Sequence, residues 1–114
     1  MTTLRIEHAV PDFEGWKRAF DSDPADRKGS GVRRYQVSRS VEDPNYVLID
    51  LEFDTLAEAQ GLLATMRRIW GTEQGQAVMR NPQARIVETV ETTELLDSPI
   101  RACEGLSTYR LSQQ

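Results

Sequence analysis

The chain has 114 residues with 14 basic and 18 acidic side chains, a net charge of −4 and only 39% hydrophobic residues, which suits one domain of modest core. Arg33–Arg34 and Arg67–Arg68 are isolated pairs in an acidic background (pI ≈ 5.0), so nucleic acid is excluded as the expected partner. The lone Cys103 excludes an internal disulfide, and no run approaches the roughly 20 apolar residues of a membrane span or the h-region of a signal peptide, so a soluble, cytoplasmic protein without membrane contact is expected.

Residues 3–10 alternate, with Leu4, Ile6, His8 and Val10 on one face and Arg5, Glu7 and Ala9 on the other, which predicts a first strand. Pro11 ends it, and Asp12 stands where it can cap a helix carrying Phe13, Trp16, Ala19 and Phe20 on one side. A polar loop over 25–31 leads to a second strand over 32–41, whose Arg33, Arg34 and Arg39 suit a sheet edge. After the Glu42-Asp43-Pro44-Asn45 turn, Val47, Ile49, Leu51 and Phe53 form the buried face of a third strand. Tyr46, Leu48, Asp50 and Glu52 take its other face. Thr55 and Glu58 have the spacing of a capping box, and Leu56, Ala59, Leu62, Leu63, Met66, Ile69 and Trp70 repeat as the apolar stripe of a second helix. Residues 71–82 read as loop with some helical character, and 84–93 as a fourth strand.

This β-α-β-β-α-β order predicts an α+β, ferredoxin-like domain over 1–93, with two helices on one face of a four-stranded antiparallel sheet. The open face, bearing Tyr46, Leu48 and Asp50, is expected to bury itself against a second copy of the chain, with Arg39 paired to Asp50 at the seam. Residues 94–114 hold Leu95, Leu96, Ile100, Leu106, Tyr109 and Leu111, too many apolar side chains for a free tail, and this extension is expected to pack on the partner subunit.

The run His-Ala-Val-Pro-Asp-Phe-Glu-Gly-Trp-Lys-Arg-Ala-Phe-Asp-Ser-Asp-Pro (8–24), with Gly-Val-Arg-Arg-Tyr at 31–35 and Asp-Pro-Asn-Tyr-Val-Leu-Ile-Asp at 43–50, resembles small actinobacterial proteins of the dimeric α+β barrel superfamily. That superfamily includes cofactor-free antibiotic-biosynthesis monooxygenases, polyketide cyclases, haem-degrading enzymes and stress-responsive proteins. The resemblance covers residues 3–93 and implies a homodimer. For an enzyme it implies oxygenation or cyclisation of a polycyclic, polyketide-like aromatic with no metal, flavin or other cofactor. The alternative is a non-catalytic binding or stress-associated dimer.

His8, the sole histidine, stands at the end of the first strand on the face that meets the helices, where it could act as a proton acceptor or could simply be a buried ring bonded to a neighbour. Trp16, Phe20 and Phe53 are candidate walls of a flat aromatic pocket, although aromatics at helical or strand spacing are more often plain core. Arg34 or Tyr35 is expected to complete the pocket by stabilising a developing oxyanion, the choice depending on hairpin register. Asp50, Glu52 and Asp54 lack the gathering turn of a cation site, and one histidine with one cysteine excludes a conventional zinc set, so no metal is expected.

Overall fold

Two central strands and one long helix supply most of the core. In a computed structural model, in which residues 1–96 are described, the elements are β1 (Thr2–Ala9), α1 (Phe13–Asp21), β2 (Arg34–Arg39), β3 (Tyr46–Phe53), α2 (Leu56–Trp70), α3 (Glu73–Val78) and β4 (Arg80–Glu88). The sheet order is β2-β3-β1-β4, antiparallel throughout, which puts β1 and β3 in the centre and β2 on an edge as predicted. The alternating apolar residues of the central pair, Leu4, Ile6, Val47, Ile49, Leu51 and Phe53, are all buried beneath the helices together with Ala59 and Leu62 of α2. Each such side chain withdrawn from water is worth roughly 1.5–3 kcal/mol, so this layer drives the fold.

Local signals fix where the helices begin. Asp12 accepts a hydrogen bond from the Gly15 N–H (2.9 Å), and Thr55 accepts one from the Glu58 N–H (3.2 Å), each satisfying a donor that has no partner within the first turn. The Glu58 carboxylate closes the box by accepting from the Thr55 hydroxyl (3.1 Å). Leu56, counted in the apolar stripe, is half-exposed instead; burial on this helix starts at Ala59.

Three stretches differ from expectation. β2 is shorter than 32–41, since Ser40 and Asp43 draw the connection into a side-chain-braced turn: the Ser40 hydroxyl accepts from the Glu42 and Asp43 N–H groups, and Asp43 accepts from the Asn45 N–H. Part of the expected loop is the short helix α3, capped by Thr72, whose hydroxyl accepts from the Gly75 N–H (3.0 Å). β4 starts at Arg80 and stops at Glu88, earlier than 84–93; Pro82 is accommodated because β4 is the other edge of the sheet. The extension beyond residue 96, and with it the expected packing of Ile100, Leu106, Tyr109 and Leu111 on a partner, lies outside the described residues.

The open face of the sheet is more polar than the apolar pattern of β3 suggests. Asp50 accepts from Arg5 (3.0 Å), Glu52 from Arg34 (2.8 Å), and Glu7 from the Tyr46 hydroxyl (2.6 Å), a contact that raises the Tyr46 pKa chiefly through that hydrogen bond. Leu48 lies among them, partly exposed. The predicted Arg39–Asp50 pair does not form. Asp50 stands opposite Gln36, and Arg39 opposite Val47, so Arg39 lies on the helix side, with its guanidinium 4.4 Å from the centre of the Phe13 ring.

Candidate ligand-binding site

Between the sheet and the helices lies a cavity of about 250 Å³. Its floor is Ile6, His8, Ile49 and Leu51; Trp16 and Phe20 of α1 form one wall, and Leu62, Met66 and Ile69 of α2 another. α3 and the residue after it complete the enclosure with Gly75, Val78 and Met79. The lining is apolar almost throughout, the polar contributions coming from His8, Ser22, Arg27 and Gln74. α3 can lie this close to the end of α2 only because residue 75 is glycine: a Cβ there would run into the Ile69 carbonyl.

The aromatic side chains form a continuous file. His8 meets Trp16 edge-on (5.5 Å between ring centres), Trp16 stacks on Phe20 (5.0 Å), and Phe20 meets Tyr35 edge-on (5.4 Å). The Arg27 guanidinium lies 3.9 Å from the centre of the Phe20 ring, donates to the Phe20 carbonyl (2.8 Å) and pairs with Asp23 (3.5 Å).

His8 is only 1% exposed. Its Nδ1 lies 3.2 Å from the Ala9 carbonyl oxygen, which can only accept, so Nδ1 carries the proton in that contact and Nε2 of the neutral ring keeps its lone pair. Nε2 has no hydrogen-bond partner among the described residues. Burial away from water pushes the pKa below the ordinary histidine value, while the bond to Ala9 pulls more weakly the other way. The result is a neutral imidazole with a free acceptor in the wall of an apolar chamber.

The backbone is irregular at this point. Pairing of β1 with β4 passes from Glu7 opposite Gln83 to Ala9 opposite Arg80, so Asn81 and Pro82 together face His8 across a bulge. Asn81 has φ +52°, a conformation that asparagine tolerates better than most residues, and a proline at a bulge loses no ladder bond. Bulges re-aim side chains, and this one falls at the only histidine.

Of the predicted pocket residues, His8, Trp16 and Phe20 come together around the cavity. Phe53 does not: it is fully buried opposite Thr2, at the other end of β3, and serves as core. Arg34 is excluded by its face, since it pairs with Glu52 on the open side of the sheet. Tyr35 is on the helix side but at the opposite end of the strands from His8, joined to the site through Phe20 and through the Arg27 guanidinium, 4.8 Å from the centre of its ring. The strand residue level with His8 is Arg39, because β1 and β2 both run antiparallel to β3 and therefore end together. Sequence reasoning missed Arg27 and, while it gave 71–82 some helical character, did not place α3 against the site; the Thr72-x-x-Gly75 spacing is the signal that could have located the start of that short helix. Among the described residues no three His, Cys, Asp or Glu side chains gather as a metal site, and no helix is long and apolar enough to cross a membrane.

No protein-family model matches this chain, and no curated protein matches it in sequence. Solved structures do match in fold. SnoaB, a cofactor-independent oxygenase from Streptomyces nogalater, superposes with a TM-score of 0.65 at 13% identity, over 80% of this chain and 94% of SnoaB. A dimeric ferredoxin-like protein from an uncultured marine organism gives 0.58 at 12% identity, over 81% and 97% of the two chains. An antibiotic biosynthesis monooxygenase gives 0.54 at 9% identity, over 80% and 100%. The fold is therefore ferredoxin-like, of the kind found in antibiotic-biosynthesis monooxygenases. At such identities the likeness concerns the backbone alone.

Proposed function

We propose that this protein is a homodimer that binds a small aromatic molecule in the cavity beneath α1 and α2, and acts on it as a cofactor-free monooxygenase or cyclase with His8 as the base. The observation that carries this reading is the unpartnered Nε2 of a neutral, buried histidine in an otherwise apolar wall. Such a group can remove a proton from a phenol or an activated carbon acid, leaving an anion delocalised over the aromatic system. In an oxygenation the substrate supplies the electrons: a ring CH₂ becomes C=O, one oxygen atom of O₂ enters the product, and the other leaves as water with the two hydrogens. In a cyclisation the same carbanion attacks a carbonyl of its own chain. The file of Trp16 and Phe20 orients a planar ligand by stacking and excludes water.

Homodimerisation is supported by the open sheet face, where Leu48 remains exposed among paired charges, and by the dimeric description of the marine neighbour. Oxygen uptake and product analysis with hydroxyaromatic compounds of one and two fused rings, such as naphthols, test the chemistry. His8→Gln keeps a hydrogen-bonding side chain of similar volume, and turnover is expected to fall by about 10²- to 10⁴-fold. Unchanged turnover would remove His8 from catalysis. Saturable binding without any turnover would favour the non-catalytic binding module.

A further inference from the structure

We infer that the cavity selects a neutral aromatic of one or two fused rings carrying a single hydroxyl or N–H donor, which His8 Nε2 accepts. The inference rests on the pocket reading above and narrows it to a ligand class.

Size comes first. An apolar cavity of about 150 Å³ accommodates one benzene ring, so the ~250 Å³ here suits roughly two fused rings. A ligand of three or four fused rings would need α1 or α3 to move outward. α3 is seated directly on the end of α2, where Gly75 meets the Ile69 carbonyl with no room for a methyl group.

Polarity comes second. The Ser22 hydroxyl donates to the Ala19 carbonyl (2.6 Å), and the Arg27 guanidinium is engaged by the Phe20 carbonyl, by Asp23 and by the Phe20 ring. Gln74 is exposed and belongs to the rim. The remaining polar demand in the wall is an acceptor at His8, which a ligand meets with one donor. A carboxylate ligand would have to shed its hydration against apolar side chains, and the one cation in the wall, Arg27, is already paired with Asp23. Selection for one donor and against negative charge follows.

Isothermal titration calorimetry on the full chain with 2-naphthol, 2-methoxynaphthalene, 2-naphthoate and 1-hydroxyanthracene tests each element. 2-Naphthol is expected to bind about tenfold or more tightly than its methyl ether, and more tightly than the naphthoate or the three-ring compound. Equal affinity for 2-naphthol and its ether would overturn the donor assignment; preference for 1-hydroxyanthracene would overturn the size limit; preference for the naphthoate would overturn the charge argument. Absence of binding by all four would instead refute the underlying pocket reading. His8→Phe is expected to abolish the naphthol-to-ether discrimination. Should that variant fail to fold, the ¹⁵N shift of His8 Nε2 in the wild-type protein provides the same test: it is expected to move upfield on addition of 2-naphthol and not of the ether, and an unmoved resonance refutes the contact.

Discussion

The stability of this protein between pH 7 and pH 5.5 should be governed by one side chain. His8 is the sole histidine, and its ring is buried where water cannot solvate a charge, so its pKa in the folded state lies below the ordinary value of about 6.5. The unfolded chain then binds more protons than the folded one below that ordinary value. Stability is full above about pH 6.5 and falls as the pH drops from there toward the folded pKa. One proton taken up only by the unfolded state gives a slope of at most about 1.4 kcal/mol per pH unit. The loss between pH 6.5 and 5.5 is therefore capped near 1.4 kcal/mol, a fall in Tm of about 5 °C for a domain of this size. His8→Gln removes the titrating group and should flatten the dependence over that interval, while the carboxylates, common to both proteins, cancel in the comparison. Thermal melts of the two proteins at half-unit pH steps measure the difference directly. Parallel curves would mean that the His8 ring is protonated as readily in the folded state as in the unfolded one, and the acceptor role of Nε2 would lose its basis.

Other substitutions probe the frame around the site. Leu62→Ala removes a fully buried side chain from the cavity wall and should cost about 2–5 kcal/mol in urea unfolding, with the lower end expected if the enlarged chamber admits water. Asp12→Ala leaves the Gly15 N–H uncapped where α1 begins and should cost about 1 kcal/mol by the same assay. Light scattering is expected to give twice the monomer mass, and Leu48→Glu, which adds charge to the open face, should shift the molecule toward monomer with little change in far-ultraviolet circular dichroism.

Much of the architecture was legible because period and burial agree. Val47, Ile49, Leu51 and Phe53 alternate, Ala59 to Ile69 repeat at three and four, and each pattern admits only one way to face a common core. His8, Trp16 and Phe20 could be brought together on the same ground, since a strand face and the helix that covers it are both set by periodicity. The β2–β3 register was not legible. The turn from Ser40 to Asn45 is held by side-chain hydrogen bonds with no counterpart in strand alternation, and placing Arg39 against Asp50 is a slip of three residues, an odd number that moves it to the wrong face. The expectation that Arg34 or Tyr35 completes the pocket beside His8 failed for a different reason: β1 and β2 are both antiparallel to β3 and so parallel to each other, which puts the end of β2 at Arg39, and not its start, level with His8. The bulge at Asn81 and Pro82 was equally hidden, because a proline near a strand reads as a break until the strand is known to lie at an edge.

The strand order also bears on how the chain reaches its native state. Only β2 and β3 are neighbours both in sequence and in space; β1 pairs with β3 across some forty residues, from Ala9 with Tyr46 outward, and with β4 across nearly the whole described chain, from Thr2 to Glu88. Pairings this distant must pay the entropy of loop closure before their contacts form, which places the protein among slower-folding small domains. During synthesis β1 has no partner until β3 has emerged, and its β4 side stays open until residue 88 is available. His8, in the irregular part of the β1–β4 pairing, therefore gains the strand segment opposite it, Asn81 and Pro82, only when the most distant pairing of the sheet forms.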